Sequence, residues 1–227
     1  MNAENKGISV IIRTRNEERW IGHCIQSILD NIKNPEIILV DNNSTDETMP
    51  IVNSFKSDPH LKNSLGYAEM ITTQIDQYTP GKSINLGVKT ATNENIIIIS
   101  SHCVLTQFDL DKHLSDLNNH VAIFGNQTPF YQGKRISKRY IWSHFIDKEV
   151  ENMYSDSEGR YFFHNALSFF KKDTLLKYPF NEALSGKEDR YWAIDMIEEN
   201  KLSILYDPAM SVDHHYTDNG NTWKGIG

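Results

Sequence analysis

Apolar residues gather in short β-branched bursts through the first half of the chain, each followed by a polar loop and then by apolar positions at helical spacing. Ile8 to Ile12 reads as a strand, Arg13-Thr14-Arg15-Asn16 as a loop, and Trp20, Ile21, Cys24, Ile25 and Ile28 as the buried face of a helix. The pattern repeats. Glu36 to Val40 is a second strand, the turn-rich Asp41 to Asp46 a loop whose last residues can cap a helix, and Met49, Ile51, Val52 and Phe55 the apolar positions of that helix. Pro80-Gly81 opens a third helix carrying Ile84, Leu86, Gly87, Val88 and Ala91, which leads into the all-apolar run Ile96 to Ile99, a strand of the kind covered on both faces.

Three strand and helix units in series predict an α/β fold with a doubly wound, mostly parallel sheet flanked by helices. Ligands of open sheets of this kind bind beyond the carboxyl ends of the strands, so Arg13 to Asn16, Asp41 to Asp46 and Ser100 to Cys103 are expected to line one crevice. From about Phe108 the alternation fades and aromatics become dense, among them Phe124, Phe130, Tyr131, Tyr140, Trp142, Phe145, Tyr154, Tyr161, Phe162 and Phe163. No repeat, biased tract or linker divides the chain. One domain over 1–227 is expected, with a regularly alternating half at about 1–107 and an aromatic-rich half at about 108–227, which the resemblance given below implies to be the donor and acceptor halves.

Composition narrows the partners. Against 23 Lys and Arg stand 30 Asp and Glu, a net charge of −7, which argues against a protein that covers nucleic acid. Two cysteines, Cys24 and Cys103, are too few for a disulfide scaffold and read as thiols of a reducing compartment. The first residues lack the basic start and apolar run of a signal peptide, and no window is long and apolar enough to span a bilayer, so a cytoplasmic location is expected. Lys134 to Trp142 mixes four cations with aromatics, a composition suited either to an anionic membrane surface or to an ordinary solvated face.

The run Ser9 to Glu18, with Arg13, Thr14, Asn16 and Glu17, and the run Val40 to Asp46, with Asp41 and Asn43, resemble in order the first two signatures of the family 2 inverting glycosyltransferases of GT-A fold. Tyr78 to Gly87 resembles the third, in which the basic residue, here Lys82, faces the donor diphosphate and the asparagine, here Asn85, faces the donor. A lysine at a helix N-terminus suits a diphosphate, because charge and unpaired N–H groups point the same way. Asp41 has the chemistry to accept hydrogen bonds from a base or ribose; taken alone, Asp41 and Asp46 read equally well as turn and cap residues.

The sequence departs from the family after the Ile96 to Ile99 strand. Where most members carry an Asp-x-Asp that binds metal, this chain has Ser100-Ser101-His102-Cys103 and resembles a subset with Ser-x-His-Cys. The resemblance implies a divalent metal held by His102, with a second ligand from His214 or His215, and Ser101 beside the donor. Imidazole favours Mn²⁺ over Mg²⁺, which prefers oxygen. The alternative is that His102 is a strand-end residue and the histidine pair lies on the surface.

Lys187 to Ala193 resembles the family's Glu-Asp signature. Single displacement at an anomeric carbon needs one carboxylate to take the acceptor's proton, and Asp189 is the candidate, with Glu188 the alternative or an acceptor contact. Acids at a helix start also offset the helix dipole, which is the plainer reading. Phe163 to Lys172 resembles the strand that shapes the acceptor pocket, with His164 and Asn165 able to meet hydroxyls and Trp192 on the same side. The partners implied are a nucleotide-sugar donor and a saccharide or lipid-linked saccharide acceptor in capsule or lipopolysaccharide synthesis; peripheral contact with the inner face of the plasma membrane and a homodimer are compatible with it. The rival readings are a nucleotidyltransferase or other group transferase on the same fold, and a degenerate sugar-nucleotide-binding subunit.

Overall fold

The computed structural model describes residues 7–67, 69–136, 145–156 and 159–216. Strands are β1 (Ile8–Thr14), β2 (Glu36–Asp41), β3 (Glu69–Gln74), β4 (Asn95–Ser100), β5 (Cys103–Gln107), β6 (Ala122–Tyr131), β7 (Lys134–Arg135), β8 (Val150–Glu151), β9 (Tyr154–Ser155), β10 (Arg160–Tyr161), β11 (Leu167–Lys171) and β12 (Ile204–Tyr216). Helices are α1 (Ile21–Asn31), α2 (Thr48–Ser57), α3 (Pro59–Leu65), α4 (Pro80–Thr90), α5 (Leu110–Asp116), α6 (Lys172–Lys177) and α7 (Glu188–Ile194), the last running into a π-helical turn at Asp195–Glu199.

The main sheet has the order β3-β2-β1-β4-β11-β6-β12-β5. β1 to β4 are mutually parallel, β11 runs antiparallel to both β4 and β6, and β12 lies parallel to β6. The mostly parallel sheet is as expected, and the β4–β11 ladder makes it continuous from the first half of the chain into the second. The strands beyond β1, β2, β4 and β11 fall outside the apolar pattern, β3 among them. β3, with Glu69, Thr72, Thr73 and Gln74, sits at the edge of the sheet and needs no apolar run.

Covering both faces explains the composition of the central strands. Val10, Ile12, Ile37, Leu39, Ile97 and Ile99 pack with α1 residues Ile21, Cys24, Ile25 and Ile28, while the alternate residues Ile11, Ile38, Val40, Ile96 and Ile98 pack with Ile84 and Val88 of α4. Gly87 permits that second contact, since a Cβ there would come within 2.6 Å of the Ile11 side chain. Local chemistry sets the helix ends. Asp58 accepts from His60 N and Leu61 N ahead of Pro59, Thr79 accepts from Lys82 N ahead of Pro80, and Asp109 accepts from Lys112 N.

In the second half the aromatics form a core. Phe163, Phe170 and Phe180 surround Trp192, with ring centroids 5.4 to 5.5 Å from it. Asp207 in β12 is buried and accepts from Lys112 Nζ at 2.6 Å, pairs with His113 Nε2 at 3.0 Å, and accepts from Ala209 N at 2.8 Å, binding α5 to an irregular stretch of β12. Those donors hold its carboxyl at about 2, against the upward push of burial.

Candidate functional site

The carboxyl ends of β1, β2 and β4 lie side by side: Thr14 pairs with Asp41 and Arg13 with Ser100. Their loops are sewn together by polar side chains. Asn16 N donates to Ser44 Oγ and Asn16 Oδ1 accepts from Thr45 N, both at 3.0 Å or less, while Glu17 N donates to Thr48 Oγ1 and Glu18 N to Asp46 Oδ2. Asn16 and Asn43 both adopt positive φ, which asparagine tolerates better than most residues. Asp41 is buried and both its oxygens accept from Ser44, so its present partners are those of a turn residue. Asp46 also accepts from Thr48 N at the start of α2, as a cap does.

Glu17 turns inward. Its Oε1 lies 2.9 Å from His102 Nδ1, and the His102 ring stacks on that of His214 with centroids 4.9 Å apart. His214 Nδ1 in turn meets Gln127 Oε1, an oxygen that Tyr216 Oη also approaches, so His214 donates through Nδ1 and keeps a lone pair on Nε2. That Nε2 is buried and without a partner among the described residues. Burial, together with His102, His164 and His215, keeps His214 from protonating. Alternation along β12 turns His215 the other way: its ring stacks on Trp20 at 3.7 Å and on Phe130 at 5.1 Å. It is His214, then, that faces His102.

Both imidazoles have the form a metal ligand takes, with Nδ1 held by an oxygen acceptor and Nε2 available. No group of three His, Cys, Asp or Glu able to hold an ion occurs among the described residues. His102 and His214 thus bring together two nitrogen donors of the kind a transition ion accepts, short of a three-ligand group.

Arg13 reaches from the end of β1 to α7. Its Nη1 is 3.2 Å from Glu188 Oε1, with both side chains largely buried. Asp189, next along α7, accepts from Arg190 N at 2.7 Å; burial and the Glu188 charge raise its carboxyl to about 7, against the opposing pull of Arg13 and Arg190. Lys187, directly before the acids, is held at φ 62°, in the left-handed region.

Other predicted site residues have structural partners. Asn85 donates to Phe180 O at 2.8 Å and Glu182 Oε1 at 3.0 Å and accepts from Phe180 N, so its amide is spent fastening α4 to the chain before α7 instead of facing a donor. Lys82 stands in the first turn of the same helix. Trp192, expected on the acceptor side, belongs to the core and donates to Tyr178 O; the exposed aromatic of α7 is its neighbour Tyr191, at 49%. His164 Nε2 donates to Gly125 O, and burial lowers its pKa to about 4. Asn165 accepts from Ser168 Oγ and has a buried Nδ2 without a partner among the described residues. Ser101 is buried at the turn between β4 and β5, and Thr14 Oγ1 is likewise unpartnered. Strand geometry in the Phe163 to Lys172 segment begins only at Leu167. Cys24 and Cys103 are buried thiols. Of the cationic stretch, Lys134 and Arg135 form β7 against Phe130 and Tyr131, and 137–142 lie outside the described residues.

A family model described as "Glycosyl transferase family 2" matches residues 9–177, a span that carries the crevice loops, His102 and the Arg13 strand. The chain belongs to glycosyltransferase family 2. Among curated members, the GalNAc(5)-diNAcBac-PP-undecaprenol beta-1,3-glucosyltransferase of Campylobacter jejuni is 28% identical over 200 residues, covering 87% of this chain and 62% of that protein. The 4,4'-diaponeurosporenoate glycosyltransferase of Staphylococcus aureus is 36% identical over 55 residues, 24% of this chain and 15% of that one. The chain thus spans at most about three fifths of these relatives. Among solved structures, S. aureus TarS 1-349 in complex with UDP-GlcNAc superposes with a TM-score of 0.69 at 20% identity, covering 96% of this chain and 60% of that one. GalNAc-T7 with UDP, GalNAc and Mn²⁺ superposes with a TM-score of 0.68 at 15% identity, covering 96% and 45%. These likenesses establish the GT-A fold of this family 2 chain. No helix among its described residues is long and apolar enough to cross a membrane.

Proposed function

We propose that this family 2 chain transfers a sugar from a nucleotide-diphosphate donor to an acceptor hydroxyl with inversion, in the assembly of a surface or lipid-linked glycan. The observation that carries the reading is the pair of acids at the head of α7, joined through Arg13 to the end of β1, with Asp189 raised to about 7 and so poised to accept a proton near neutral pH. Asp189 takes the acceptor's proton on the face opposite the leaving diphosphate. The Asn16 and Asn43 loops around Asp41, with Thr14, Ser101 and Lys82, hold the nucleotide diphosphate at the strand ends. His164, Asn165 and the exposed ring of Tyr191 are the acceptor-side groups. His102 and His214 fit Mn²⁺ better than Mg²⁺, and an ion there supplies charge neutralisation for the departing diphosphate. The relatives lend support in kind: one is named for glucosyl transfer to an undecaprenol-linked saccharide, and TarS is crystallised with UDP-GlcNAc.

Calorimetry against UDP, GDP, CDP and dTDP, with and without Mn²⁺ and repeated on His102→Ala, tests the donor side. One diphosphate is expected to bind in a metal-dependent way that His102→Ala abolishes. Binding indifferent to both metal and substitution overturns the metal assignment, and no binding of any diphosphate overturns the donor class.

A further inference from the structure

The two carboxylates that open α7 are adjacent in sequence, poorly hydrated and of like charge, so they cannot serve equivalently: unless one is compensated, the pair retains a proton. A single guanidinium reaches them from another element. Arg13 sits in β1 between Val40 of β2 and Ser100 of β4, a position fixed by ladders on both sides. Its Nη1 pairs with Glu188 Oε1 at 3.2 Å, and its Nε is buried without a partner among the described residues, so Glu188 is the carboxylate that Arg13 is seen to hold. Among the described residues, the hydrogen bond that Asp189 accepts comes from the adjacent Arg190 N. The charged and titratable groups around it are Glu188 and Arg190 on α7 and Arg13 on β1, with Tyr78, ahead of α4, bearing on Arg13.

We propose that Arg13 is a positioning residue for the acceptor-side acids: by pinning Glu188 as its counter-ion it commits that carboxylate to structure and leaves Asp189 to receive the proton. The proposal rests on the reading of Asp189 as the base and adds a division of labour to it. It also gives the end of β1 a second task, because the strand that opens the donor crevice fixes the acid of the acceptor side through one ion pair. A donor strand out of place displaces Glu188 with it, so the two halves of the site assemble together.

The test is carboxyl ¹³C NMR of aspartate-labelled protein, with the Asp189 signal identified by its loss in Asp189→Asn and folding checked by thermal melting. In Arg13→Gln the Asp189 midpoint is expected to move up by about one pH unit, because Glu188 is no longer offset, and Arg13→Lys should restore most of the difference. In Glu188→Gln the midpoint should fall, and adding Arg13→Gln in that background should move it less than half as far as in the wild type. An unmoved midpoint in folded Arg13→Gln overturns the positioning role, as does an equal movement in both backgrounds, which would mean that Arg13 acts on Asp189 directly. If Arg13→Gln does not fold, Arg13→Lys in the two backgrounds carries the same comparison, its smaller movement expected only where Glu188 is present. Should the midpoints behave as expected while Asp189→Asn still turns over UDP-glucose at the wild-type rate with Mn²⁺, the base assignment fails and the pinning of Glu188 stands.

Discussion

Two aspartates, Asp207 fully buried and Asp189 half-buried, meet opposite fates in this molecule. Asp207, in β12, is surrounded by Lys112, His113 and the Ala209 N–H, and its carboxyl is held at about 2. Asp189, at the head of α7, has a like-charged neighbour and only partial relief from Arg13 and Arg190, and rises to about 7. Burial pushes both upward; compensation is what differs. The first fastens a helix to a strand, and nothing in the fold benefits from its taking a proton. The second is left unstable in its charged form, the condition a general base needs near neutral pH.

The comparison breaks most visibly in activity. Replacing Asp189 by Asn should lower the transfer rate by about 10²- to 10⁴-fold, measured as donor turnover with an acceptor present, whereas Asp207→Asn should leave the turnover of folded protein within a few fold. Next comes stability. Asp207→Asn strips Lys112 and His113 of their shared partner and should cost about 3 kcal/mol at pH 7 in urea unfolding. Since the folded carboxyl of Asp207 is depressed, its contribution is present above the unfolded value and is lost as pH falls through about 2.

The sign reverses at Asp189. There the folded carboxyl is raised, so ionisation costs stability increasingly from about pH 4 to pH 7 and the penalty is complete above that. Asp189→Asn should therefore stabilise the protein by about 1 to 2 kcal/mol at pH 8, with the gain shrinking toward pH 4. A melting curve whose gain stays constant with pH would show that the substitution works by some route other than charge. The smallest effect sharpens the contrast in backbone terms: Lys187→Gly, which relieves the φ of 62° beside the acids, should raise stability by up to about 1 kcal/mol.

How much of this could be read in the sequence depended on whether the local pattern matched the local environment. β1, β2 and β4 were legible because strands buried on both faces must be continuously apolar, and α1 and α4 because their buried faces recur at helical spacing. β3 was not, since an edge strand keeps Glu69, Thr72 and Thr73 with little penalty. β12 hid its length behind Asp207, Pro208 and two histidines, residues a β pattern does not suggest. Glu188 and Asp189 were legible as a motif. The separation into counter-ion and base that we propose for them was not, because it depends on an arginine far away in the chain. That His214 and not His215 faces His102 likewise follows from strand alternation against a neighbour that only folding supplies. Trp192, placed on the acceptor side by resemblance, is instead packed among Phe163, Phe170 and Phe180, which its position beside the acids does not reveal.

The fastening of α4 to the segment before α7 bears on how this chain could be recombined with other members of its family. Asn85 grips Phe180 and Glu182, Thr79 Oγ1 donates to Glu182 O, and a Cβ at position 81 would collide with Asn181 O at 2.5 Å. A chimera that exchanged everything after β5 for the corresponding half of another member would keep one side of this joint and import a stranger to the other. Its graft boundary should carry Thr79, Gly81 and Asn85 with the incoming half, or the acid helix will be seated on a surface not cut to receive it.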